Sequence, residues 1–113
     1  MPVPLDTLLD AAPYLRELNN RHGAWLDEAL RDPDAGLARE LAAVSSAGPV
    51  AVDEGAIGQT LRRAKGRIAL LAAVAETGGM WTTAASTAAL ADLADAALDS
   101  ALQFLIARAI IKG

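Results

Sequence analysis

Residues 60–105 read TLRRAKGRIALLAAVAETGGMWTTAASTAALADLADAALDSALQFL, and the spacing of their apolar side chains decides the fold. From about Gly55 onward, Ile57, Leu61, Ala64, Ile68, Leu71 and Ala75 recur every three or four residues, which lays one apolar ridge along a long helix. Gly78-Gly79 ends that helix, since glycine takes the left-handed backbone of a helix terminus without a Cβ penalty. Met80-Trp81 bridges the turn, and Thr82 or Thr83 caps a second helix that runs to roughly Ile110. Along this second helix Leu90, Leu93, Ala94, Ala97, Ala101, Phe104 and Leu105 face one way, and Asp92, Asp95 and Asp99 project from the opposite side. The pattern reads as cleanly amphipathic. Two long helices joined by a short turn predict an antiparallel hairpin, its inner alanines letting the backbones approach while Leu and Phe supply most of the buried area.

Upstream of the hairpin, Pro13, Gly23 and the Asp32-Pro33 pair punctuate the chain and predict several short helices. Their apolar stripes are Tyr14, Leu15 and Leu18; then Trp25, Leu26, Ala29 and Leu30; then Leu37, Leu41 and Val44. Asp32 reads as a cap with Pro33 at the first helical position, where its missing N–H costs nothing. Residues 45–54, SSAGPVAVDE, carry turn chemistry and predict the linker. The chain therefore divides into a short-helix region over residues 1–54 and a long hairpin over 55–113, together one structural unit.

A length of 113 residues suits a single core. The apolar residues, 53% of the chain, are mostly Ala and Leu, and the aromatics are only Tyr14, Trp25, Trp81 and Phe104, so packed helices are favoured over a sheet and the fold class is all-α. The chain has no cysteine, which rules out a disulfide framework and thiolate chemistry and suits a reducing cytoplasm. MPVPLDTLLD lacks the basic n-region and cleavage site of a signal peptide. The apolar stretches fall short of the roughly 20 residues that span a bilayer, so no membrane role is expected. The net charge of −4 is uneven, with −6 over residues 1–54 and +2 over 55–113. An acidic half argues against nucleic-acid binding, which depends on a surface that neutralises phosphates.

Four cations, Arg62, Arg63, Lys65 and Arg67, cluster on the first long helix. They read either as a solvated face whose stems lie over apolar surface, or as a docking face for acidic residues or nucleotide phosphates. Asp92, Asp95 and Asp99 share one face, but a hard-cation site needs carboxylates that converge from different elements, so they read as a solvated stripe. His22 is the only histidine and lies at an expected helix boundary, without the partners that a metal site or a general base requires. Trp25 and Trp81 read as packing residues. No glycine pattern of a phosphate-binding loop occurs. No catalytic, cofactor-binding or metal-binding residue is expected in this chain.

The run from Thr60 to Leu105 resembles a segment of the bacterial glutamine synthetase adenylyltransferases. Their long helix carries an L-R-R-x-K-x-R-x-A-L-L core, matched by Leu61, Arg62, Arg63, Lys65, Arg67, Ala69, Leu70 and Leu71. A tryptophan after the turn and an L-x-x-x-A-D-A-A-L helix follow, matched by Trp81, Leu90, Ala94, Asp95, Ala96, Ala97 and Leu98. Ala12–Leu15, the Arg21 region and the Asp32-Pro33 turn are similar to that family's opening helices. The resemblance implies an enzyme that transfers AMP from ATP to a tyrosine of glutamine synthetase and removes it again in nitrogen regulation, with Mg²⁺ and ATP held at a G-S-x-D-x-D motif in a nucleotidyltransferase sheet further along. That motif does not occur here, and Asp92, Asp95 and Asp99 are not its counterparts. The chain is thus expected to be the N-terminal helical portion of such an enzyme, with the missing catalytic domain or glutamine synthetase as its partner and the Arg62–Arg67 face as the contact. The competing reading is a stand-alone helical module that self-associates or binds an acidic partner; an independent enzyme is the weakest reading of the three.

Overall fold

The computed structural model describes residues 12–112, the last two by backbone alone, together with Thr7, Leu9 and Asp10; MPVPLD lies outside the described residues. Four helices account for nearly all of the described chain: α1 (Pro13–Ala29), α2 (Pro33–Val50), α3 (Glu54–Thr77) and α4 (Thr83–Lys112). The expected all-α class is observed. The starts follow from local chemistry. Asp32 Oδ1 accepts from the Ala35 N–H at 3.2 Å, Asp53 Oδ1 from the Ala56 N–H at 2.8 Å and Thr82 Oγ1 from the Ala85 N–H at 3.0 Å, so α2, α3 and α4 each begin on a side-chain cap. The end of α3 is closed by Gly79 at φ +79°, while the Met80 and Trp81 amides both donate to the Ala75 carbonyl.

Three sequence expectations are corrected. Gly23 does not break the first region: α1 runs unbroken from Pro13 to Ala29 and places His22 in mid-helix. A helical glycine costs only about 1 kcal/mol, and the burial of Leu18, Leu26 and Ala29 along one face outweighs it. Residues 45–50 are helix and not linker, because α2 continues to Val50 with Pro49 in its last turn. Gly48 has no Cβ to clash with the Pro49 ring, so the helix survives the proline, and the connection to α3 shrinks to residues 51–53. Finally, α4 is rotated from the expected face. Ser86, Ala89, Leu93, Ser100 and Phe104 are buried, whereas Leu90 and Leu105 are 45% and 57% exposed. Small side chains take the closest contacts, and that displaces the larger leucines outward.

The core follows from two helices that each touch the other three, α2 and α3. The second half of α3 is enclosed on nearly every side, with Ile68, Leu70, Leu71 and Ala75 fully buried. Ser86 Oγ lies 3.4 Å from the Ala72 carbonyl and joins the start of α4 to this enclosed stretch. The most extensive pairing is between α2 and α4. Trp81 Nε1 donates to Asp34 Oδ1 at 3.0 Å beside the first turn of α2, Gly48 meets Ser100 near its end, and Arg108 Nη1 donates to the Val52 carbonyl at 3.0 Å just beyond it. The residue numbers rise together on both sides, so α2 and α4 run in the same direction. At the middle contact, a Cβ added to Gly48 would lie 2.8 Å from Ser100 Oγ and 2.9 Å from its carbonyl carbon, inside van der Waals contact. Backbone touches backbone there.

Gly48→Ala is therefore expected to destabilise the chain by about 2–3 kcal/mol in denaturant unfolding, because two helix axes must part to admit one methyl group. Gly23→Ala, whose added Cβ would meet only Asn19 side-chain atoms at 3.4 Å or more, is expected to stabilise by about 0.5–1 kcal/mol. Equal effects of the two substitutions would contradict this packing.

Candidate functional site

The four cations read together in the sequence are divided by the fold. Arg62, Arg63 and Lys65 are exposed on α3, and among the described residues no carboxylate forms an ion pair with them. Arg67 turns inward. Its Nη1 lies 3.4 Å from Glu40 Oε2, and its guanidinium stacks 5.3 Å from the centre of the Trp25 ring. Glu40 is 5% exposed, and periodicity did not single it out. A carboxylate so deeply placed on α2 needs a cation from another helix, and Arg67 supplies it while Trp25 covers the planar face. In the sequence nothing signalled this beyond the presence of Arg67 at the end of a run of cations on one helix.

His22 stands on α1 beside Gly66 of α3. A Cβ at Gly66 would stand 3.1 Å from Leu18 Cδ2 and 3.3 Å from His22 Nε2, so the bare backbone at 66 is what lets α1 close on α3. Burial lowers the His22 pKa below the usual imidazole value, and Arg67, Arg21 and Arg63 push it the same way against the opposing pull of Glu40. Arg21 and Arg63 thus add to the effect of burial and make this side of the chain a positive field. Two clefts open on that field: one of about 320 Å³ lined by Arg21, His22, Gln59, Arg62 and Arg63, and one of about 230 Å³ lined by Tyr14, Glu17, Arg21, Arg62 and Lys65. Within the second, Arg21 is already paired with Glu17 at 2.9 Å. On the other side of Arg62 and Lys65 lies an apolar groove of about 390 Å³ between α3 and α4, with Leu61, Ala69, Leu90, Leu93, Ala94 and Ala97 as its walls.

Trp81 is buried and Trp25 half-buried, and both take packing positions. Asp92, Asp95 and Asp99 are exposed along α4. No group of three or more His, Cys, Asp or Glu side chains placed to hold a metal ion occurs among the described residues, so these side chains do not assemble the donor set that Mg²⁺ requires. Nor is any described helix long and apolar enough to cross a membrane. The arrangement offers a basic ridge with an apolar groove on one flank and polar clefts on the other. These are surfaces for contact.

Two outcomes check the internal cluster. Glu40→Gln is expected to cost about 1–2 kcal/mol in denaturant unfolding, since it leaves the partly exposed Arg67 guanidinium without its counter-charge, while Glu40→Leu combined with Arg67→Met recovers most of that loss. Because the folded state holds the His22 pKa below its unfolded value, the unfolded chain binds more protons in the window between them, and stability is lost as pH falls from about 7 through that window. His22→Gln is expected to remove this part of the pH dependence; an unchanged stability–pH curve would contradict the placement of His22 against the arginines.

Comparison with known proteins bears on the whole chain. Residues 4–113 match the family model described as glutamate-ammonia ligase adenylyltransferase. Similar proteins include bifunctional glutamine synthetase adenylyltransferase/adenylyl-removing enzymes from Xanthobacter autotrophicus (strain ATCC BAA-1158 / Py2), 39% identical over 107 residues that make up 94% of this chain and 11% of the relative, and from Rhodopseudomonas palustris (strain HaA2), 34% identical over 112 residues that make up 98% of this chain and 11% of the relative. A third, from Bradyrhizobium diazoefficiens, is 35% identical over 107 residues, again 94% of this chain and 11% of the relative. The chain spans about 11% of the length of these relatives. No solved structure matches it. The match along nearly every residue places the chain in the glutamate-ammonia ligase adenylyltransferase family.

Proposed function

We propose that this chain is the N-terminal helical portion of a glutamine synthetase adenylyltransferase, a scaffold that positions the catalytic part and performs none of its chemistry. The observation that carries the reading is the family match over residues 4–113 in a chain whose described residues gather no metal-binding carboxylates. In the full-length enzyme, AMP transfer from ATP with Mg²⁺, and its removal, would belong to the nucleotidyltransferase part, in the cytoplasm where glutamine synthetase is the substrate. Residues 1–54 and 55–113 act as one unit, the second being an antiparallel hairpin of α3 and α4. The Ser86–Ala72 contact at one end, and the joint lining of the groove by Leu61 and Ala97 at the other, support that hairpin.

The contact face in this reading is the basic ridge of Arg62, Arg63 and Lys65, with Arg67 anchoring it from beneath through Glu40. Its support is the set of exposed cations without ion-pair partners among the described residues, on a chain that is otherwise acidic. A carboxylate surface on the catalytic part meets this ridge with charge-assisted hydrogen bonds that a lone solvated face does not form.

The gene is expected to encode a G-S-x-D-x-D motif in frame beyond codon 113; a stop without such a motif would overturn the reading in favour of a self-associating module. In a polypeptide that carries both parts, Arg62→Glu with Arg63→Glu is expected to lower adenylylation of glutamine synthetase at least about tenfold, as reversal at a charged interface does, while the melting of the helices stays within about 0.5 kcal/mol of wild type. Full activity in that variant would remove the basic ridge from the interface.

A further inference from the structure

Two glycines of α3, Gly58 and Gly66, stand one turn to either side of Arg62, and each leaves bare a space that a side chain would fill. A Cβ at Gly58 would meet Arg62 Nη1 at 3.1 Å, and the three atoms nearest to it all belong to that guanidinium, which lies back over the helix there. A glycine within a helix costs about 1 kcal/mol against alanine, and at Gly58 the bare backbone makes room for Arg62. Gly66 lines both polar clefts, as do Leu18, Arg21 and Arg62, so the two clefts are one furrow between α1 and α3. Its charged walls are Arg21 of α1 and Arg62, Arg63 and Lys65 of α3 against Glu17 alone, which leaves three net positive charges around one hollow. Of these four cations only Arg21 has an ion-pair partner among the described residues, Glu17. Charges of one sign drawn from two helices around a hollow focus their field into it, as a flat solvated face does not.

We infer that the furrow between α1 and α3 binds a small anion with two neighbouring phosphate groups, free diphosphate or the diphosphate of a nucleotide, held by Arg21, Arg62, Arg63 and Lys65 beside His22. Arginine forks match phosphate oxygens in pairs. A single phosphomonoester carries a charge of only about −1.5 to −2, less than the walls supply, and a second phosphate makes up the difference. Burial holds the His22 pKa down, and Arg67 and Arg63 of α3 and Arg21 of α1 lower it further against Glu40 of α2. A bound anion cancels part of that field and so raises the His22 pKa toward the ordinary imidazole value. The site goes beyond the reading of the ridge as a contact face and does not depend on it, because a carboxylate surface needs only exposed cations and a small anion needs the hollow.

His22 is the only histidine of the chain, so its ring protons report on the furrow without ambiguity. Diphosphate, orthophosphate and ADP are titrated separately into the 113-residue chain without divalent metal, at an ionic strength held constant with sodium chloride, and the ring protons are followed by nuclear magnetic resonance. Diphosphate is expected to give a saturating one-site shift, to bind at least about tenfold more tightly than orthophosphate, and to raise the His22 pKa by about half a pH unit or more. R62Q with R63Q is expected to weaken diphosphate binding at least about tenfold, while the charge-matched pair R31Q with R39Q, outside the furrow, leaves it within about twofold. Circular dichroism melts establish that both double variants stay folded. Equal weakening by the two pairs, or shifts that rise linearly without saturation, would overturn the site in favour of diffuse attraction to surface cations. Orthophosphate binding as tightly as diphosphate would overturn the requirement for a second phosphate. ADP binding at least about tenfold more tightly than diphosphate would assign the site to a nucleotide, and equal or weaker binding to free diphosphate. A folded chain that binds none of the three would overturn the site and leave the family reading standing, since that rests on the match over residues 4–113.

Discussion

Where α2 passes α4, the backbone of Gly48 rests on the backbone of Ser100 with no side chain between them. Helix axes that close require small residues on both partners, and the α4 face that meets α2 and α3 supplies Ser86, Ala89 and Ser100. Once that face is turned inward, the rotation of α4 is set, and with it the outward position of Leu90, Leu98 and Leu105. The same contact holds α2 helical through Pro49, because the segment that turn chemistry would release as linker is held against α4. Ser100 is fully buried and its Oγ has no hydrogen-bond partner among the described atoms, so the close approach is kept at the expense of an unsatisfied hydroxyl.

Much of this was legible beforehand, and the limits have physical reasons. The α3 ridge of Ile57, Ala64, Ile68, Leu71 and Ala75 is buried as periodicity requires, and the caps at Asp32 and Thr82 and the Gly78-Gly79 stop lie where their chemistry places them. On α4 periodicity placed Leu93 and Phe104 correctly in the core but set Leu90 and Leu105 there too, because the helix is apolar on two sides and choosing the larger residues assumes that area decides where close approach does. Turn propensity failed at residues 45–50 and at Gly23 because local preferences of about 1 kcal/mol yield to tertiary burial. Glu40 and Arg67 sit 27 residues apart on different helices, and no local pattern pairs them. The candidate site was therefore legible as a basic cluster and illegible as a division between three outward cations and one structural one.

That division gives the surface its character. Arg67 is paired with Glu40 and stacked on Trp25, and so is withdrawn from the ridge. Arg62 and Lys65 stand where the polar clefts and the apolar groove meet. Family membership supplies the context: the chain belongs to the glutamate-ammonia ligase adenylyltransferase family and spans about 11% of the length of the relatives it matches.

The account stands on the crossing of α2 and α4, and nuclear Overhauser effects in the isotope-labelled 113-residue chain test it most directly. Cross-peaks between the Gly48 α-protons and the Ser100 backbone and β-protons, of the intensity seen between neighbouring residues, are the predicted result. Their absence in a chain whose four helices are otherwise intact would contradict the crossing, and with it the outward face of α4.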